Sequence, residues 1–146
     1  IITIFLLLFL ITSTVSCVYA DDDDRSYSIT QALVDIVVDT NGMLHINETF
    51  DYSFDGTFNG VYRDIPLKDG ESISNIHVSA EGAYTKVEQH QEDGTQHIKI
   101  YLYSDAAKTQ PISDTNVKVH ISYDMKNVVT VYQDTASLQY QLWGDQ

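Results

Sequence analysis

The segment NGMLHINETFDYSFDGTFNGVYRDIP, residues 41–66, opens with a turn, runs as one long alternating stretch and closes on Tyr62-Arg63-Asp64-Ile65-Pro66. Leu44, Ile46, Phe50, Tyr52 and Phe54 share one parity, while Met43, His45, Asn47, Thr49 and Asp51 share the other. Such alternation predicts a β-strand with one buried face and one wet face. Glu48 is the exception, a carboxylate on the apolar parity. A strand this long also predicts partners on both sides or a long hairpin.

Upstream, residues 27–38 are rich in β-branched side chains (Ile29, Thr30, Val34, Ile36, Val37, Val38) and predict a second strand. Asp39-Thr40-Asn41-Gly42 turns the chain back. A two-residue Asn-Gly loop would pair Val38 with His45 and Ile36 with Asn47, mixing the faces. A three-residue loop, Thr40-Asn41-Gly42, pairs Asp39 with Met43, Val38 with Leu44, Ile36 with Ile46 and Ala32 with Phe50. Register follows the pairing that keeps the core face whole. The three-residue loop is therefore expected, with Gly42 left-handed in a type I turn and G1 bulge.

Downstream, Asp55-Gly56 and Asn59-Gly60 punctuate a loop, and Ile65-Pro66 leaves it extended, because a residue before proline is pushed out of the α region. After a turn at residues 68–71, Ile73, Ile76 and Val78 mark a strand of imperfect alternation that Glu81-Gly82 breaks. Residues 83–91 and 95–103 form a second hairpin around Asp93-Gly94. A two-residue loop there pairs Val87 with Ile100 on one face, and Glu88 with Lys99 and Lys86 with Tyr101 on the other. Residues 105–116 read as a loop with room for one helical turn. Val117, Val119, Ile121 and Tyr123 alternate as a strand, residues 128–132 are a short β-branched run, and Leu138, Tyr140 and Leu142 alternate again before Trp143. Seven or eight strands with short turns and two prolines predict an all-β fold, an antiparallel β-sandwich of immunoglobulin-like architecture. The Cys-Trp-Cys core signature of antibody domains is absent, so the likeness is one of architecture alone.

The 146 residues suffice for one domain. Residues 1–20 are a different material: an apolar run to Ile11, then Val18-Tyr19-Ala20 with allowed residues at the −3 and −1 positions of a signal-peptidase site. An export signal cleaved between Ala20 and Asp21 is expected. The missing initiator Met and basic n-region give it the look of an N-terminally truncated signal. A retained membrane anchor and lipidation of Cys17 within Thr14-Val15-Ser16-Cys17 are the alternatives. Residues 21–26 open with four aspartates and are expected to be a disordered acidic terminus. The sandwich would occupy residues 27–146 and continue past a C-terminal truncation. Cleavage would remove the single cysteine, so no disulfide staples the mature fold and its core must suffice. The net charge of −13, from 21 acids against 8 basic residues, argues against nucleic acid and against direct contact with anionic lipid. No calcium loop of the D-x-D-x-D-G type with its closing Glu is present.

Glu48-Thr49-Phe50, Phe54-Asp55-Gly56 and above all Gly60-Val61-Tyr62-Arg63-Asp64-Ile65-Pro66 give the chain a family likeness. It resembles the N-terminal extracytoplasmic domain of the predicted membrane proteins called domain of unknown function 2207, from about Tyr27 to the end. The stretches 123–134 and 138–143 also fit that pattern. The resemblance implies a signal peptide, a β-rich outer domain and transmembrane helices downstream. It implies no activity.

Glu48 and Arg63 are the first candidate site. A carboxylate on an apolar face needs a partner, and Arg63 lies among Val61, Tyr62 and Ile65. A structural ion pair pinning residues 62–66 onto the strand is preferred to a ligand-binding arginine. Asp64 lacks a second carboxylate at a spacing suited to acid–base catalysis. His90 and His97 face each other in the chosen register and share a face with Glu88, but a zinc site needs three or four ligands. No metal or cofactor is therefore expected. His45, His77 and His120 have no partner that spacing identifies. No nucleophile elbow, zincin helix, Walker loop or dinucleotide fingerprint occurs. Asn47-Glu48-Thr49 is a glycosylation sequon whose Asn47 lies on the wet parity. The expectation is a non-enzymatic, exported domain on the extracytoplasmic face of a membrane-anchored envelope protein, binding a protein or glycan partner at the cell surface. A secreted carbohydrate-binding or adhesion module is the second reading, and an envelope hydrolase the third.

Overall fold

Alternating side chains sort the chain into two antiparallel layers. The computed structural model describes residues 25–131 and 136–138. The export signal, its cleavage site, Cys17, the four aspartates, Tyr140, Leu142 and Trp143 lie outside the described residues. The strands are β1 (Ser26–Val38), β2 (Leu44–Asp55), β3 (Thr57–Phe58), β4 (Gly60–Pro66), β5 (Ser72–Glu81), β6 (Tyr84–Glu92), β7 (Thr95–Tyr103), β8 (Ile112–Ser113), β9 (Asn116–Lys126), β10 (Val129–Val131) and β11 (Ala136–Leu138). Seven are long; six of them fall on the runs read as strands, while β4 begins at Gly60, within the expected loop. The other four have two or three residues; β10 falls in the β-branched run of residues 128–132, whereas β3 and β8 carry no period in sequence. One sheet has the order β1-β2-β9-β5 and the other β4-β7-β6, with short ladders β3-β8 and β10-β11 beside them. The two layers, four strands over three, are the architecture of a β-sandwich. With the long strands lettered A to G in chain order the sheets read ABGD and CFE. The order in an immunoglobulin constant domain is ABED and CFG.

Both hairpins take the registers expected from their faces. Val38 pairs with Leu44, Ile36 with Ile46 and Ala32 with Phe50. Gly42 donates to the Asp39 carbonyl at 3.1 Å with φ +78°, and the Asp39 carboxylate accepts the amides of Asn41 and Met43. In the second hairpin Val87 pairs with Ile100, Glu88 with Lys99 and Lys86 with Tyr101. The imperfect alternation of β5 has a local cause. Its register on β9 slips between Ser74 and His77, and Asn75 sits there at φ +54°. The bulge lets Ile73 and Ile76, three apart, both pack on the core.

Two segments differ from expectation. Residues 105–116 hold no helical turn. The Asp105 carboxylate instead accepts the amides of Thr109 and Gln110, satisfying them locally, and β8 follows. The expected loop after Phe54 is interrupted by β3, which pairs Thr57 with Ser113 and Phe58 with Ile112.

Even residues of β2, odd residues of β9, Val61 and Ile65 of β4, and Ile98, Ile100 and Leu102 of β7 form one buried cluster. Tyr52 and Phe54 stack with ring centroids 5.6 Å apart, and Phe58 meets Phe54 at 5.0 Å. β1 is an edge strand, paired on one side by β2, and its Leu33 and Val37 are exposed.

Two glycines carry different constraints. A Cβ at Gly42 meets only Val129, at 3.9 Å, so substitution there strains the backbone conformation alone. A Cβ at Gly60 would lie 2.0 Å from the Ile100 carbonyl oxygen on β7. Gly42→Val is expected to destabilise the fold by about 1 kcal/mol or more in urea unfolding. Gly60→Ala should cost more, about 3 kcal/mol or above, because backbone must move. A neutral Gly42→Val would sink the bulged turn.

Candidate functional site

Buried charge comes first because it is the least expected feature of a core. Glu48 on β2 points into the sandwich with a fully buried side chain. Arg63 shares the inward parity of Val61 and Ile65 on β4 and reaches it across the layers. Arg63 Nε donates to Glu48 Oε2 at 2.8 Å and Nη2 to Oε1 at 2.6 Å, a two-pronged contact. The Tyr123 hydroxyl of β9 donates to Oε1 at 2.8 Å, and Arg63 Nη1 donates to the Asp64 carbonyl at 2.8 Å. The carboxylate is thus held by three donors from two strands, the condition under which a buried charge is tolerated. Nearby, burial pushes the Tyr52 hydroxyl up to about 12, with Tyr27 adding to the shift, Arg63 opposing it and Glu48 adding again.

The histidines lie on the outward faces. His45 contacts Asp124 at 2.6 Å, and Asn75 donates to the same carboxylate at 2.7 Å. These contacts hold the Asp124 carboxyl below its usual range, Asn75 most and His45 next. His120 sits between Thr49, at 3.1 Å, and Glu81, at 3.0 Å. These partners follow from the order β2-β9-β5, which spacing in sequence does not reveal. His90 and His97 face each other with ring centroids 4.9 Å apart, and His97 contacts Asp64 at 2.8 Å. Glu88 does not join them. It turns to Lys86 at 2.8 Å and to the Tyr101 hydroxyl at 3.0 Å, and those bonds, Lys86 first, hold its carboxyl below the usual range. Asn47 is exposed on the outer face of β2.

The outer face of β4-β7-β6 carries what the sequence reading missed. Cross-strand pairing lays out rows: Gly60, Tyr101 and Lys86; Tyr62, Lys99 and Glu88; Asp64, His97 and His90. The Lys99 ammonium rests 4.6 Å from the Tyr101 ring centroid and 5.4 Å from that of Tyr62. Lys86 also approaches the Tyr101 ring, at 5.3 Å from its centroid. Tyr101 and Tyr103 stack at 6.5 Å with an interplanar angle of 21°, and Tyr62 is two-thirds exposed. Tyr101, then Tyr62, holds Lys99 protonated well above the ordinary lysine range. An open groove of about 430 Å³ runs between Asn59, Gly60, Tyr62, Lys99, Tyr101 and Tyr103. Small-ligand sites span roughly 300–1,000 Å³.

In two other depressions the basic side chain is already paired. In one of about 540 Å³, Lys118 is paired to Asp51 at 2.8 Å. In one of about 200 Å³, His120 is held by Thr49 and Glu81. Among the described residues no three His, Cys, Asp or Glu side chains converge as a metal site, and no helix is long and apolar enough to cross a membrane.

A family model described as the N-terminal domain of a predicted membrane protein, DUF2207, matches residues 28–146. No curated protein and no solved structure matches the chain.

Two measurements test the buried cluster. Glu48→Gln and Arg63→Met should each cost about 3–5 kcal/mol, since either strands a buried charge or its partner. The double variant should cost less than the two added, and additivity within about 0.5 kcal/mol in urea unfolding would show that the two do not act as a pair. The Tyr52 shift predicts alkaline behaviour. Its folded value lies above the unfolded value near 10, so its contribution is full below pH 10 and is lost as pH rises from about 10 to about 12. That loss amounts to about 2–3 kcal/mol. Tyr52→Phe should flatten the fall relative to wild type, and an unchanged fall would refute the assignment.

Proposed function

We propose, on the premise that this chain belongs to the DUF2207 family as the N-terminal domain of a predicted membrane protein, that it works as a non-catalytic binding domain on the extracytoplasmic side of the membrane. The observation that carries this reading is the exposed face of Tyr62, Lys99, Tyr101 and Tyr103. Rigid tyrosines offer large contact area at little conformational entropy, the property binding surfaces draw on. The apolar segment 1–11 with Val18-Tyr19-Ala20 supports export. Asn47, exposed on the opposite layer, leaves a sequon accessible without touching this face.

Catalysis is disfavoured by the state of the acids. Glu48 is buried in its ion pair, and Glu88 is held by Lys86 and Tyr101. A general acid or base needs a group facing substrate that can donate or accept a proton. A secreted module without a membrane attachment would use the same face.

The test is sedimentation of the purified chain with envelope fractions of the source cell. Wild type should co-sediment, and Tyr62→Ala with Tyr101→Ala should lower retention at least tenfold while leaving the near-UV circular dichroism of the remaining core in place. Retention that does not depend on these tyrosines would move the binding surface elsewhere, and absence of retention would refute the reading.

A further inference from the structure

The tyrosine–lysine face, resting on the binding role proposed above, also constrains what it binds. We propose that its ligand is an acidic saccharide: a sugar ring that stacks on tyrosine and carries, or adjoins, a carboxylate or phosphate that meets Lys99.

The first reason is the arrangement of apolar and polar surface. Tyr101 and Tyr103 stand nearly parallel along β7, and Tyr62 stands across from Lys99 on β4. Around these rings lie hydrogen-bonding groups, namely the Glu88 carboxylate, the tyrosine hydroxyls and the Asn59 amide beside the groove. A pyranose presents a C–H face and a rim of hydroxyls, so it uses both kinds of surface at once. A wholly apolar ligand would leave the polar rim unpaired, which is unfavourable. A nucleic acid would need a basic surface, whereas this face sets its two lysines among Glu88 and Asp64.

The second reason is the state of the two lysines. Lys86 is neutralised by Glu88 at 2.8 Å. Lys99 rests on two rings, with Glu88 as its cross-strand neighbour turned to Lys86 and Tyr101. Lys99 lines the groove, so its ammonium, positioned by tyrosine, is the cation offered to a ligand there. At physiological salt the screening length is about 8 Å, so the acidity of distant surfaces does little to oppose a polyanion seated here. An aromatic platform with one positioned cation fits a sugar ring that bears an acidic substituent better than an anion without a ring.

The experiment measures binding of the purified chain by calorimetry and affinity electrophoresis in 0.15 M salt. Three probes are used: polygalacturonate, with sugar rings and carboxylates; dextran, with sugar rings alone; and poly(glycerol phosphate), with anions and no rings. Polygalacturonate should bind at least tenfold more tightly than either of the others. Lys99→Met should reduce its affinity to the dextran level, Lys99→Arg should retain most of it, and Tyr62→Ala with Tyr101→Ala should weaken polygalacturonate and dextran alike. Equal binding of dextran would overturn the acidic substituent. Binding of poly(glycerol phosphate) that is indifferent to the tyrosines would overturn the sugar and leave a bare anion site. Envelope retention that needs the tyrosines, with no binding of polygalacturonate, overturns the ligand class while the binding role stands; loss of envelope retention itself overturns the role.

Discussion

A carboxylate and a guanidinium enclosed between two sheets constrain everything built around them. Removing charges from water costs several kcal/mol per ion, so a buried pair contributes little net stability compared with apolar side chains of the same volume. Its effect lies in what it forbids. A one-residue slip of β2 would turn Glu48 outward and leave Arg63 buried without its carboxylate. A displacement of β4 against the four-stranded sheet would break the two-pronged contact, whose geometry tolerates little movement. The Tyr123 hydroxyl adds the adjacent strand β9 to the same lock. The Glu48–Arg63 contact thus holds the two layers in one register, where apolar packing alone would accept several.

That lock also accounts for where the chemistry of this domain sits. With Arg63 facing inward, its neighbours Tyr62 and Asp64 must face outward, because successive strand residues point to opposite sides. Tyr62 then falls beside Lys99, and Asp64 beside His97. The inner and outer faces of β4 are two consequences of one parity. A residue that secures the sandwich determines by its position which side chains meet solvent on the far side of the same strand.

The acidity of the chain is unevenly spent. On the four-stranded sheet, carboxylates engage histidines and a lysine in local pairs: Asp124 with His45, Glu81 with His120, Asp51 with Lys118. Exposed pairs of this kind contribute little to stability, but they leave that face without an unengaged partner for a ligand at these positions. On the three-stranded sheet the lysines meet aromatic rings beside an open groove. The two outer faces therefore differ in character although both come from alternating strands of ordinary composition.

Much of this was legible residue by residue. The alternation of residues 44–54, the Gly42 turn, the Asp93-Gly94 hairpin and the family likeness at Gly60 to Pro66 follow from side-chain period and turn stereochemistry, which are local. The suspicion that Glu48 and Arg63 meet came from a charge on the wrong parity, also a local signal. The partners of His45 and His120, the short strands β3 and β8, and the order β1-β2-β9-β5 were not legible, because they depend on which strands lie side by side across the chain. The tyrosine–lysine face combines both kinds of information. Hairpin register alone set Lys86 by Tyr101 and Glu88 by Lys99, but Tyr62 joined them only when β4 paired with β7. Period and turn chemistry are properties of neighbouring residues and survive in one dimension. Strand adjacency is decided by which arrangement buries the apolar faces and satisfies the enclosed charge together, and that choice exists only in three.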